Sequence, residues 1–114
     1  MRTRPRAKFW LETESGEYVM GPRTLRLLEA IRETGGLKSA ARVAGFSYRS
    51  AWSRIRRVET ALGFKLIESR SGGEGGGRSI LTASGEVFVE KYRLFLKKSA
   101  RCLDKSFEQA FPDE

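Results

Sequence analysis

Four side chains, Arg49, Ser53, Arg56 and Thr60, fall on one side of a helical projection of Tyr48–Leu62, opposite an apolar stripe of Ala51, Ile55, Val58 and Leu62. The stripe follows i, i+4, i+7, i+11 spacing, which predicts a helix with one buried face. Ser50 and Arg57 flank the outward face on one edge, Tyr48 and Trp52 on the other. That face is almost wholly hydrogen-bond donors. A guanidinium fork donates two parallel N–H bonds, a geometry that suits phosphate oxygens and the edge of guanine. Arginines on a helix also suit a merely solvated surface, so the reading depends on what surrounds them. Trp52 is read as the margin of the core rather than a base contact, with Tyr48 one turn earlier placed to stack on it.

The segments on either side supply that context. Leu37–Ala44 has small residues at Ala40, Ala41 and Ala44 and ends at Gly45, predicting a short helix that another helix can approach closely. The turn Gly45-Phe46-Ser47 joins it to 48–62, giving a helix-turn-helix whose second helix enters the major groove. Gly21-Pro22 opens a preceding helix carrying Leu25, Leu27, Leu28 and Ile31, stopped by Gly35-Gly36. Before it, Lys8–Thr13 and Tyr18–Met20 read as two strands around a turn at residues 14–17. Downstream, Phe64–Glu68 and Arg78–Thr82 read as strands, and residues 71–77 between them are rich in glycine. Flanked by Arg70 and Arg78, this loop fits the wing of a winged helix, reaching the DNA backbone or minor groove. It also imitates a phosphate-binding P-loop, but Arg78 stands where Lys is needed and an extended segment follows where a helix should open.

Charge follows the same partition. The 114 residues hold 22 Lys plus Arg against 14 Asp plus Glu, a formal charge of +8. Residues 36–79 carry +6 and the first ten residues +4, while 11–35 carry −2 and 80–114 balance. Basic excess thus gathers on the helix-turn-helix and wing and on an amino-terminal arm whose role stays open. The chain has no His and one Cys, which removes the usual general base, the Ser-His triad, His metal ligands, a Cys-rich zinc site and an internal disulfide. Neither an enzyme, a metal site nor a cofactor is expected. No apolar run approaches a bilayer span, and the start lacks the apolar core of a targeting peptide, so a cytoplasmic location without membrane contact is expected.

Thr82 can cap a helix over residues 83–110, about 42 Å long at 1.5 Å per residue. That exceeds what a domain of about 13 Å radius needs to cover its own core. Val89, Leu96, Leu103 and Ala110 recur every seven residues, with Tyr92, Ala100 and Phe107 near the same seam. A seam of that period predicts packing on a partner helix. Cys102, at or beside it, is read as a small apolar residue kept reduced. The expected organisation is one domain over 1–114: basic arm 1–7, hairpin, helix-turn-helix and wing 8–82, and dimerisation helix 83–110.

The run G-F-S-Y-R-S-A-W-S-R-I, followed by S-G-G-E-G-G-G-R-S-I-L-T-A-S-G, resembles the amino-terminal domain of ModE-type molybdate-responsive regulators and, more distantly, that of LysR-type regulators. The resemblance covers roughly residues 8–110. It implies a mainly α fold with small β hairpins, a winged helix-turn-helix that dimerises through its long last helix and binds a palindromic operator in double-stranded DNA. It places Ser47, Tyr48, Arg49, Ser50 and Ser53 in the recognition segment and Gly72–Arg78 in the wing. The family's molybdate-binding domains have no counterpart in these residues, so direct molybdate binding is not expected, and any sensor is on another chain or absent.

The leading expectation is a sequence-specific, dimeric DNA-binding transcription regulator. Arg49, Ser50, Ser53 and their neighbours read base edges; Arg54, Arg56, Arg57, Arg70 and Arg78 hold phosphates, and Ser39, Ser47 and Tyr48 complete the surface. Val89, Tyr92, Leu96, Ala100, Leu103 and Phe107 form the dimer seam. Two other readings stay open at this point: a protein-interaction adaptor on the same scaffold, and a nucleoid-type binder without sequence preference.

Overall fold

Pro22 at the first helical position, with φ already suited to a helix, opens α1 (Pro22–Thr34), and Gly35 closes it in the left-handed region at φ 76°, its N–H donating to Ile31 O. The computed structural model describes residues 2–70 and 77–112. α1 is the centre of the molecule: Leu27, Leu28 and Ile31 are fully buried, and α2 (Leu37–Ala44) and α3 (Tyr48–Leu62) pack around it. Ala40 and Ala41 at the α1–α2 contact are buried to 0% and 2% exposure, the close approach that small side chains permit. Ala51, Ile55 and Val58 of α3 are buried completely, so the apolar stripe faces the core as its spacing requires.

Two antiparallel pairs complete the base of the molecule. β1 (Leu11–Glu12) pairs with β2 (Tyr18–Met20), and β3 (Ile67–Arg70) pairs with β4 (Arg78–Leu81), with Ile67 opposite Leu81 and Arg70 opposite Arg78. The Ser79 N–H donates to Gly35 O at 3.0 Å, tying β4 to the α1–α2 junction. α4 (Ala83–Ala110) then runs across α1 and projects beyond the core. That projection raises the radius of gyration to 17.1 Å and draws the molecule out to 61 × 31 × 23 Å, well beyond the compact radius expected from length.

Both hairpins depart from the sequence reading. β3 begins at Ile67 rather than Phe64 because the preceding backbone groups are taken elsewhere. A Glu59 carboxylate oxygen accepts from the Leu66 N–H at 2.8 Å and the Ile67 N–H at 3.4 Å, while Leu66 O accepts from the Thr82 N–H. β1 shrinks to two residues because the chain peels away at Phe9 to lie on α4. There the Tyr92 hydroxyl donates to Phe9 O at 2.9 Å, and the Phe9 and Phe95 rings meet edge to face at 6.1 Å.

Val89 and Tyr92, placed by period in the dimer seam, are 0% and 2% exposed within their own chain. The domain's own core supplies their partners, so neither has side-chain surface left for a second helix. Burial, with a smaller contribution from Tyr18, pushes the Tyr92 phenol up to about 12. The folded state therefore holds this proton more tightly than the unfolded chain. The corresponding stability is complete below about pH 10 and is lost as pH rises towards 12, by at most about 2–3 kcal/mol. Tyr92→Phe should be less stable by about 1 kcal/mol at pH 8 through the lost hydrogen bond. Urea unfolding of the two proteins from pH 8 to 11 should show the curves converging as the wild type alone pays this ionisation.

Candidate nucleic-acid interface

The outward face of α3 is set by its amino-terminal cap. Ser47 is extended at φ −69°, ψ 158°, and its Oγ accepts from the Ser50 N–H at 3.1 Å. The cap fixes where the first turn starts, and hence which way Tyr48, Arg49 and Ser50 point. Ser39, Ser47, Tyr48, Arg49, Ser50, Ser53, Arg56 and Arg57 are all exposed, Ser39 on α2, Ser47 in the turn and the rest on α3. Tyr48 and Trp52 meet edge to face at 6.4 Å, and the Arg56 guanidinium lies 5.4 Å from the Trp52 ring centre. Trp52 is half-buried against the core, the packing role read for it, while its ring also steadies Arg56 on the outward face of α3.

Arg54 departs from the other helix arginines. It lies on the edge facing α1, half-buried, where it donates to Thr24 Oγ1 at 3.3 Å and sits 4.7 Å from the Phe46 ring centre. Arg70 and Arg78 are exposed and directly opposite each other across the last described rung of the β3–β4 ladder. Like charges in that position repel. Glu68, 4.0 Å from Arg70 and itself exposed, offsets little of this. A bound anion would relieve the repulsion. Of the glycine-rich wing, Gly77 and Arg78 are described; Ser71, Gly72, Gly73, Glu74, Gly75 and Gly76 lie outside the described residues.

A cleft of about 550 Å³ separates α3 from the base of the β3–β4 hairpin, lined by Lys38, Tyr48, Trp52, Ser69, Arg78 and Ser79 among others. Lys38 is a cation of this surface that helix projection of 48–62 could not find, because it comes from the start of α2. A second groove, of about 530 Å³, lies between the first hairpin and the later turns of α3, bordered by Thr13, Glu17, Ser53, Arg56 and Arg57. Its lining holds one carboxylate, Glu17, against the two guanidinium groups of Arg56 and Arg57. Arg23 was also hidden by sequence: it belongs to a segment of net negative charge, yet its guanidinium lies 4.5 Å from the Phe46 ring centre in the helix-turn-helix turn.

On α4, Leu96, Leu103 and Phe107 are partly exposed and Ala100 exposed, so four of the six seam positions keep surface. The amino-terminal arm borders them: Phe9 lines a cavity of about 340 Å³ with Lys98, Ser99, Cys102, Leu103 and Ser106. Among the described residues no cluster of three potential metal ligands occurs, and no helix is long and apolar enough to cross a membrane.

Comparison with known proteins places this geometry in a family. The transcriptional regulator ModE of Yersinia pestis is 35% identical over 91 residues, covering 80% of this chain and 35% of its own length. The DNA-binding transcriptional dual regulator ModE of Escherichia coli K12 is 34% identical over 83 residues, covering 73% and 32%. The chain thus spans about a third of the length of the relatives it matches. Among solved structures, the CbnR DNA-binding domain in complex with DNA has a TM-score of 0.58 at 30% identity, over 77% of this chain and 95% of that one. DarR of Vibrio fischeri, at 17% identity and a TM-score of 0.59 over 88% and 30%, supports the fold alone. Residues 22–86, from the start of α1 to the first turn of α4, match the model of the bacterial regulatory helix-turn-helix proteins of the lysR family, and the chain belongs to that family.

Proposed function

We propose that this chain is the DNA-binding part of a dimeric transcription regulator that recognises a specific operator. The observation that carries the reading is the exposed Ser/Arg face of α3 together with the β3–β4 pair, whose last described rung sets Arg70 opposite Arg78 with only the exposed Glu68 nearby. In this reading the first turns of α3 enter the major groove, where Arg49, Ser50 and Ser53 meet base edges. Arg54, Arg56, Arg57, Arg70 and Arg78 hold phosphates and set register, with Ser39, Ser47 and Tyr48 at the margins and the wing on the backbone or minor groove. The relatives named as transcription regulators, and the DNA in the CbnR complex, support it. A cytoplasmic location follows from the same reading.

The dimer rests on what remains of the α4 seam: Leu96, Ala100, Leu103 and Phe107. A two-fold pair would present two reading helices to a palindrome with half-sites about 34–36 Å apart. Leu103→Lys places a charge in that seam at a position outside the fully buried core. It should convert dimer to monomer in sedimentation equilibrium, keep its unfolding transition, and bind a full palindrome no better than a half-site.

Selection of bound fragments from genomic DNA, followed by titration of the selected site and random DNA over a range of salt, tests the function. Expected are a logarithmic salt slope of several units and an operator preference of 10³-fold or more. A steep slope without preference would point to a nucleoid-type binder, and a flat slope to an adaptor; either result overturns the proposal.

A further inference from the structure

We propose that Arg23 and Arg54, gathered on the ring of Phe46, form a clamp for one backbone phosphate of DNA beside the amino end of α3. This deepens the proposed function and rests on it. Three elements build the site: α1 supplies Arg23, the turn between α2 and α3 supplies Phe46, and α3 supplies Arg54. The two guanidinium carbons lie 4.5 and 4.7 Å from the ring centre, and the Thr24 hydroxyl, 1% exposed, holds Arg54 in place from α1.

The ring attracts each cation, but two like charges gathered on one aromatic side chain repel each other. No carboxylate relieves this: among the described residues the ion pairs are made by Arg32, Arg70 and Arg93. The start of α1 adds to the imbalance. Its Gly21 cap makes no side-chain hydrogen bond and its first turn holds no acid, so the positive end of the helix dipole is also uncompensated. Arg23 is exposed, so an anion can reach the cluster from solvent. A phosphodiester fits because its two free oxygens match a guanidinium fork and its single charge is shared by the pair. It is favoured over a free oxyanion by position, since Phe46 directly precedes Ser47, the cap of the reading helix, and Arg54 lies on that helix.

The test uses the full chain and its selected operator. Arg23→Ala should lower the logarithmic salt slope by about 0.9 and weaken operator and random DNA alike, by about fivefold at 0.15 M salt. Scanning methylphosphonate substitutions along the operator should find one linkage per half-site at which the wild type loses affinity and Arg23→Ala loses nothing further. Arg54→Ala should behave likewise, and Arg54→Gln, which keeps a polar side chain there without the charge, replaces it should folding suffer. The proposal is overturned if Arg23→Ala keeps the wild-type slope and methylphosphonate profile while Arg57→Ala lowers the slope. It is equally overturned if inorganic phosphate binds the free protein through Arg23 and DNA affinity ignores that residue. Loss of specific DNA binding by the wild type itself would instead strike the parent reading.

Discussion

Gly85→Ala is expected to destabilise the fold by about 2 kcal/mol and lower the thermal midpoint by roughly 8–10 °C. Gly85 is buried in the first turn of α4, where a Cβ would collide with the Leu66 carbonyl oxygen and come within 3.1 and 3.2 Å of the Leu66 C and Cα. These are backbone atoms that cannot rotate aside. Leu66 O accepts from the Thr82 N–H, Leu66 N–H donates to Glu59, and Thr82 Oγ1 donates to Lys65 O while accepting from the Gly85 N–H. Moving any of these strands another. Alanine's better helix propensity returns at most about 1 kcal/mol, so overpacking wins. Gly36→Ala is the matched control: its backbone is extended and a Cβ there meets nothing within 4 Å, so its midpoint should move little. A Gly85→Ala protein melting within 2 °C of the wild type would show that α4 slides freely over the Leu66 strand entrance.

The same junction explains what could be read from sequence and what could not. All four helices have the bounds that periodicity, Pro22, the Gly45-Phe46-Ser47 turn, Thr82 and Gly35-Gly36 imply, because those signals are local. The strands moved because their ends answer to distant atoms: Glu59 reaching Leu66 and Tyr92 reaching Phe9 span 7 and 83 residues of sequence. Val89 and Tyr92 show a different limit. A helix packing on its own core and one packing on a partner produce the same period, so the stripe on α4 could not say where the first use ends and the second begins. In the structure burial declines from Tyr92, buried, to Leu96, partly exposed yet still packed against the chain's own core. The site was legible where one helix carries it, from Tyr48 to Arg57. Lys38 and Arg23 arrive from other elements, and no projection of a single helix contains them.

Arg49→Ala is expected to reduce affinity for the selected operator by about 10- to 150-fold, about 1.4–3 kcal/mol, while changing random-DNA affinity only about fivefold. The asymmetry is the point of the measurement. Arg49 is in the first turn of α3, exposed, with no ion pair among the described residues, so it is free to present its fork to a guanine edge. Arg49→Lys keeps the charge but replaces a rigid fork with a point donor, so it should retain most of the random-DNA affinity and still lose most of the preference. Arg57, on the edge of the same helix, supplies the contrast: Arg57→Ala should weaken operator and random DNA by the same factor and lower the salt slope by about 0.9. These predictions require the Ser47 cap intact, because its loss would change the helix start and all three base-facing side chains together. An Arg49→Ala protein whose operator-to-random ratio equals the wild type's would remove that residue from base reading and move recognition to Ser50 and Ser53 or to the wing.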